Sequence, residues 1–368
     1  MNQTLQVEIA APDVPHATPL AEHFACAPLV SYRGAMAASS FSGFAHELAA
    51  LIGGAGVFDL GFLSFIEITG SDRVRWLNGM VTNTVQSLEE GHFNYSLLLN
   101  AQGRIQGDGH VYRFADRILL ATDRSQTARI VAHLDHFIIM DDVELRELDA
   151  SHTALGIAGP QAERILRDFE LTPPFDDAFL ASTFHGAPVT VVRARSAAVA
   201  RYELWIETAR AAALWDALVA AGAVPGGVAA LEALRVLEGT PRYGVDILEK
   251  HLPQETGLSH ALNFNKGCYL GQEIVERIRS RATVHRTLRQ FSLDGALPEA
   301  GSLFPLTAEG AQHNPIGELT SFAQFDLPAY TGKLALGFIR TEALERKLPL
   351  HYSGGTAAAL DAPPSLGA

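Results

Sequence analysis

Cys268 is one of two cysteines in 368 residues, and it sits in the run Lys266-Gly267-Cys268-Tyr269-Leu270-Gly271-Gln272-Glu273. A thiol acts as nucleophile or metal ligand in its thiolate form, which a nearby cation or a helix N-terminus favours. Lys266 lies two positions before it, and residues 272–278 read as an amphipathic helix with Ile274, Val275 and Ile278 on one side. This spacing predicts a thiol pKa below the ~8.5 of a free cysteine. The competing reading is a half-buried cysteine packed as a small apolar residue.

The elements that must hold this run divide by texture. Residues 1–39 contain Pro12, Pro15, Pro19 and Pro28 with little periodicity, and read as a poorly ordered lead-in. An apolar stripe predicts a helix over 41–52, stopped by Gly53-Gly54-Ala55-Gly56. That cluster is a turn, having neither the dinucleotide-binding spacing nor a following lysine. A strand over 65–69 precedes Ser71-Asp72, which cap a helix to about Asn78. Strands over 95–100, 109–114 and 117–122 lead to a helix over 125–136. His133 and His136 on that helix lack further close ligands for a metal and read as a polar face.

A second unit of the same α+β character begins near Thr153, with strands over 189–194 and 201–206 and helices near 211–221 and 228–237. From Thr283 to 353, short strands punctuated by Gly295, Pro298, Gly301, Pro305, Pro315 and Pro328 predict a separate small β-barrel or sandwich. The Gly/Ala/Pro-rich stretch 354–368 reads as a disordered tail. The expected division is therefore 1–39, 40–282 (sub-units of roughly 40–150 and 151–282), 283–353 and 354–368.

Composition excludes several classes. No apolar run approaches the ~18 residues of a spanning helix, and residues 1–20 lack a basic-then-apolar signal pattern. Two cysteines make no disulfide framework and cannot supply four ligands to an iron–sulfur cluster, so the cytoplasm is the expected compartment. A formal net charge of −13 argues against general affinity for nucleic-acid phosphates. One local exception is basic: Arg277, Arg279, Arg281, His285, Arg286 and Arg289 follow the cysteine run closely, either as a solvated face or as a site for an anion.

Several motifs occur in an order that carries a resemblance. Lys266-Gly267-Cys268-Tyr269-Leu270-Gly271-Gln272-Glu273 resembles the signature octapeptide of the YgfZ-type folate-binding proteins, bacterial relatives of the T-protein (aminomethyltransferase) of glycine cleavage. In the T-protein this stretch usually carries an aspartate where Cys268 stands. The runs 56–60, 70–79, 81–83, 99–105, 239–246, 252–255, 317–321 and 336–339 resemble further family segments, collinearly over roughly residues 40 to 345.

The resemblance implies an α+β fold: a ring of two interleaved, ferredoxin-like α+β units plus a small C-terminal β-barrel, with folate held near the central opening. It implies tetrahydrofolate as cofactor and a function in supporting iron–sulfur cluster assembly or repair in client proteins, indirectly affecting tRNA-modifying enzymes. The alternative it leaves is an aminomethyltransferase of glycine cleavage. A carboxylate matches the planar donor edge of a reduced pterin through two charge-assisted hydrogen bonds. Glu203 is the candidate, since strand alternation puts Arg201, Glu203 and Trp205 on one face and the segment resembles the family's pterin-holding strand. Asp108 resembles the second of two adjacent T-protein acids, one of which serves the reacting nitrogen; Gly107 replaces the first. Asn83 and Arg242 match positions lining the family's cavity, and Arg277 is the candidate for the folate's glutamate tail. Lys266 and Cys268 would work together beside the folate.

Overall fold

The chain opens with a small sheet where the prolines predict disorder. The computed structural model describes residues 16–24, 26–281, 284–298, 304–308 and 314–366. Strands β1 (His16–Ala17), β2 (Leu29–Tyr32) and β3 (Ala35–Ala38) are ordered β1-β3-β2. Arg33 and Gly34 join β2 to β3 with φ of +52° and +89°, two successive left-handed residues of a tight hairpin turn. Leu20, Phe24, Tyr32, Ala35 and Ala37 are buried, and the Phe24 ring lies 4.6 Å from that of Trp215. The expectation of a poorly ordered lead-in is thus corrected for residues 16–39; residues 1–15 lie outside the described ones. The alanines of β3 carry little hydropathy contrast, so periodicity does not register a strand that packs backbone close to its neighbours.

Next come α1 (Phe44–Gly53), β4 (Gly56–Asp59), β5 (Leu63–Thr69), α2 (Arg73–Asn78), β6 (Phe93–Leu99), β7 (Ile105–Arg113), β8 (Ile118–Asp123), α3 (Arg124–Asp135) and β9 (Glu144–Glu147). They are followed by β10 (His152–Ala158), α4 (Ala162–Asp168), β11 (Phe179–Phe184), β12 (Ala187–Arg193), β13 (Arg201–Glu207), α5 (Thr208–Ala220), β14 (Val224–Gly226) and α6 (Val228–Leu237). One sheet has the order β6-β7-β8-β5-β9, the other β11-β12-β13-β10-β4-β14. Strand β4 precedes the whole first sheet in sequence and belongs to the second, so the two α+β units are interleaved.

Each sheet buries one face under helices. Ile130 and Leu134 of α3 pack with Ile66, Ile68, Val111 and Leu120, and Leu214 and Leu218 of α5 pack with Val57, Leu155, Ile157 and Leu204. The remaining faces meet in a shared aromatic core containing Phe58, Phe65, Phe93, Tyr112 and Trp205. At the start of α2, Asp72 makes no side-chain cap bond; its carboxylate instead accepts from Asp142 N–H at 3.0 Å.

Two short 3₁₀ turns, Pro253–Thr256 and Ser259–Ala261, lead to α7 (Gln272–Arg281). Strands β15 (Arg286–Gly295), β16 (Phe304–Ala308), β17 (Gly317–Asp326) and β18 (Thr331–Arg340), then α8 (Thr341–Glu345), β19 (Leu350–Tyr352) and β20 (Gly355–Leu360) follow. The strands close a barrel in the order β15-β18-β17-β16-β19-β20. The expected tail from Gly354 is corrected here, because β20 pairs along β15 from Gln290↔Leu360 to Gly295↔Gly355. A Gly-Thr-Ala-Ala-Ala-Leu strand has the composition of a tail, yet at Gly295↔Gly355 a Cβ on Gly355 would lie 1.9 Å from Asp294 O. The barrel docks on α6: Gln290 Nε2 donates to Val236 O and Leu237 O, and Arg235 Nη2 donates to Ser321 Oγ. No helix of the described residues is long and apolar enough to cross a membrane.

Candidate functional site

Between the sheets, α6 and the N-terminal hairpin lies a cavity of ≈ 380 Å³. Its wall is aromatic: Tyr112 stacks on Phe93 at 4.7 Å, Tyr95 lies 5.1 Å from His110, and Trp205 backs Tyr112 edge-on at 4.4 Å from behind the wall. Flat faces of this kind suit a planar ring ligand.

Four acids line this space, Asp108, Asp123, Glu203 and Glu238. Along β7 residues 105, 107, 109 and 111 are buried against the helix side, which turns Asp108 and His110 to the other face. A register shift between Leu98 and Leu99 marks a bulge in the β6–β7 pair just before Asp108, a feature that re-aims a side chain. Tyr95 Oη donates to Asp108 Oδ2 at 2.6 Å and Gln126 Nε2 donates to Oδ1 at 2.8 Å. Burial and the neighbouring Asp123 raise the Asp108 pKa, while Tyr95, Gln126 and Arg33 hold it back. Gly107 points the opposite way: a Cβ there would lie 3.0 Å from the Ile130 side chain and 3.1 Å from Gln126 Oε1. An acid at position 107 would face α3, so Asp108 is the one aimed at the cavity.

Glu203, 9 % exposed, accepts one hydrogen bond, from Trp205 Nε1 at 3.0 Å. Burial raises its pKa, and Arg201 and the Trp205 N–H oppose that rise. Trp205 is absent from the cavity lining; it orients the carboxylate from behind. Arg201 lines the cavity with a buried Nε that has no partner among the described residues.

The cavity floor is a charge network. Arg235 joins Glu232 at 2.9 Å and the fully buried Asp246 at 2.7 Å. Arg242 Nη1 adds a contact to Glu232 at 3.3 Å. Against the upward push of burial, Arg235 and Arg242 hold the Glu232 carboxyl down to about 2. Burial pulls the His110 imidazole down to about 3, keeping it neutral.

The cysteine run lies outside the cavity lining. Lys266 Nζ donates to Asn78 O, Val81 O and Asn83 O, each at 2.6 Å. Three donors meet three acceptors, so Lys266 has no N–H left for a hydrogen bond to the thiol. Burial pulls the lysine pKa down to about 7, while the three carbonyls favour the charged form. Tyr269 is buried, and its N–H donates to Gln272 Oε1 at 3.1 Å. Gly271 has φ +82°, and a Cβ there would lie 2.6 Å from Asn100 O. The conspicuous residues of the motif therefore dock its loop, and Cys268 is left exposed.

Of the sequence-predicted residues, Asp108, Glu203 and Arg242 line the cavity together. Asn83 supports it from outside, its Nδ2 donating to Tyr95 O at 3.1 Å and His260 O at 2.9 Å. Arg277 is exposed on α7 and absent from the cavity lining. Arg279 pairs with Glu276 at 3.6 Å and Arg286 with Glu255 at 2.8 Å, consistent with a mixed-charge face; the side chain of Arg281 lies outside the described residues. Sequence reasoning missed Tyr32, Arg33, Tyr95, His110, Asp123, Glu238 and His260, all in the lining. The alternation Phe93, Tyr95 and His110, Tyr112 was a readable signal; Tyr32-Arg33 had none, in a stretch read as disordered.

The chain matches the family model described as GCVT N-terminal domain over residues 21–266. It is 30% identical over 284 residues to an aminomethyltransferase of Rubrobacter xylanophilus, covering 76% of each chain. It is 28% identical over 327 residues to an aminomethyltransferase of Geobacillus kaustophilus, covering 85% of this chain and 87% of that one. The solved glycine cleavage system aminomethyltransferase T of Bartonella henselae superposes with a TM-score of 0.84 at 20% identity, over 95% of this chain and 98% of that one. This likeness establishes the fold.

Proposed function

Because the chain belongs to the GCVT N-terminal domain family, we propose that its cavity binds tetrahydrofolate and that the protein is of the YgfZ type, supporting iron–sulfur cluster assembly or repair in client proteins. The observation that carries the binding reading is Glu203: a buried carboxylate in an aromatic cavity with a single hydrogen-bond partner. Its free oxygen fits the donor edge of a pterin, and Arg201 lines the same space. Folate, when bound, supplies one-carbon or redox chemistry. The chain's own part is orientation by Glu203 and Arg201, and acceptance of a hydrogen bond by Asp108.

The accessory reading rests on Cys268, an exposed thiol on a loop otherwise devoted to docking. Effects on tRNA-modifying enzymes follow indirectly from their clusters. The second reading, an aminomethyltransferase, is favoured by the names of the relatives and opposed by the cysteine where that family usually has aspartate. Calorimetric titration with tetrahydrofolate tests binding; absence of binding ends both readings. A reconstituted assay of methylamine transfer from a lipoyl carrier separates them, because robust transfer selects the aminomethyltransferase. Cys268→Ser is expected to fold and bind folate normally and to fail in restoring cluster-dependent enzymes in cells lacking the protein. Full rescue would remove the thiol from the function.

A further inference from the structure

Asp108 shares its cavity with other acids. Asp123, at the end of β8, lines the same space, and a carboxylate there opposes the ionisation of Asp108. The answering cation comes from the N-terminal hairpin. Arg33 Nη1 donates to Asp123 Oδ1 at 3.1 Å, and Nη2 lies 3.7 Å from Glu232 Oε1. The guanidinium sits 5.2 Å and 5.4 Å from the ring centroids of Tyr32 and Phe62. The hairpin is fixed: Ser125 N–H donates to Arg33 O at 3.0 Å, and a Cβ on Gly34 would fall 2.3 Å from Ser125 N.

We propose that Arg33 is a positioning residue for the cavity acid: by neutralising Asp123 it keeps Asp108 an ionised acceptor. The inference rests on the reading of the cavity as a folate site. Tyr95 from β6 and Gln126 from α3 donate to Asp108; the charges of Asp123 from β8 and Arg33 from the hairpin act on it across the cavity, whose lining also carries Arg201, Glu203, Arg235, Arg242 and Tyr243. Of the arginines in the lining, Arg33 is the one that hydrogen-bonds Asp123 among the described residues. Burial and Asp123 push Asp108 up and Arg33 opposes them. Removing Arg33 therefore raises the Asp108 midpoint, and removing the Asp123 charge lowers it.

The test is a carboxyl ¹³C NMR titration of the full-length protein, with Asp108 assigned by its loss in Asp108→Asn. Arg33→Met is expected to move the midpoint to higher pH, Arg33→Lys to stay close to wild type, and Asp123→Asn to move it to lower pH. An unmoved midpoint in Arg33→Met, or Arg33→Lys behaving like Arg33→Met, overturns the proposal. Should Arg33→Met fail to fold, Asp123→Asn decides alone, and a midpoint at or above that of wild type refutes it. Tetrahydrofolate titration of the same samples forms a separate arm, in which the acid limb of affinity follows the Asp108 midpoint. A wild type that binds no tetrahydrofolate ends the folate reading and leaves the carboxyl titration to decide the part of Arg33.

Discussion

Replacing Lys266 with methionine leaves the carbonyls of Asn78, Val81 and Asn83 without their shared donor. Losing hydrogen bonds to a charged group typically costs about 1.5–3 kcal/mol, and Lys266→Met is expected to destabilise the fold by that order, read as a lower midpoint in urea. A purely electrostatic partner of Cys268 would instead leave the midpoint in place. Glu203 makes the complementary prediction. Glu203→Gln puts an amide donor where the cavity offers an acceptor, and tetrahydrofolate affinity is expected to fall roughly ten- to a hundredfold, the size of one charge-assisted hydrogen bond. Calorimetry giving equal affinity for the two proteins would take Glu203 out of the site.

The elements set which of these side chains meet. The Arg33-Gly34 turn lies against the first residues of α3, so Gly34→Ala sets a methyl against the Ser125 backbone at a left-handed φ of +89°. Strain of this kind costs on the order of 1–3 kcal/mol. Limited proteolysis is expected to cut the variant within β1–β3 well before wild type, and equal protection would show that the hairpin is not held by this contact. Regular elements were legible where side-chain contrast is strong. The helix expected over 228–237 is α6 itself, because Leu231, Leu234 and Leu237 recur at helical spacing on a buried face. Glu203 and Trp205 were legible through strand alternation. Arg33 was not, because the alanines beside it show no period and its partner Asp123 is 90 residues away. Nor was the direction of Lys266, since in an irregular loop proximity along the chain says nothing about where a long side chain points.

At the scale of the molecule, the barrel and the α+β body share polar joints. Asp246 accepts from Ser321 Oγ at 2.7 Å and from Arg235 at 2.7 Å, so one buried carboxylate serves both cavity floor and barrel. A chain ending at residue 353 lacks β20 and leaves the edges of β15 and β19 unpaired. Open edges promote intermolecular pairing. The truncated protein is expected to melt earlier and to associate on size-exclusion chromatography. A monomer with unchanged melting temperature would show that β20 is dispensable to the barrel.

The interleaving of the sheets bears on how the molecule is made. Strand β4 is made well before its partners β10 and β14, with pairings such as Val57↔Ile157 and Gly56↔Val224. Contacts so distant in sequence delay folding, because the entropy of closing the loop is lost before pairing rewards it. Until β10 has left the ribosome the apolar run Gly56-Val57-Phe58 has no partner strand, and its second edge stays open until β14 follows, with the complete five-stranded sheet lying between β4 and both of them in sequence. The nascent chain thus carries a sticky segment while the first sheet is being made, and that interval is where a holding chaperone would act.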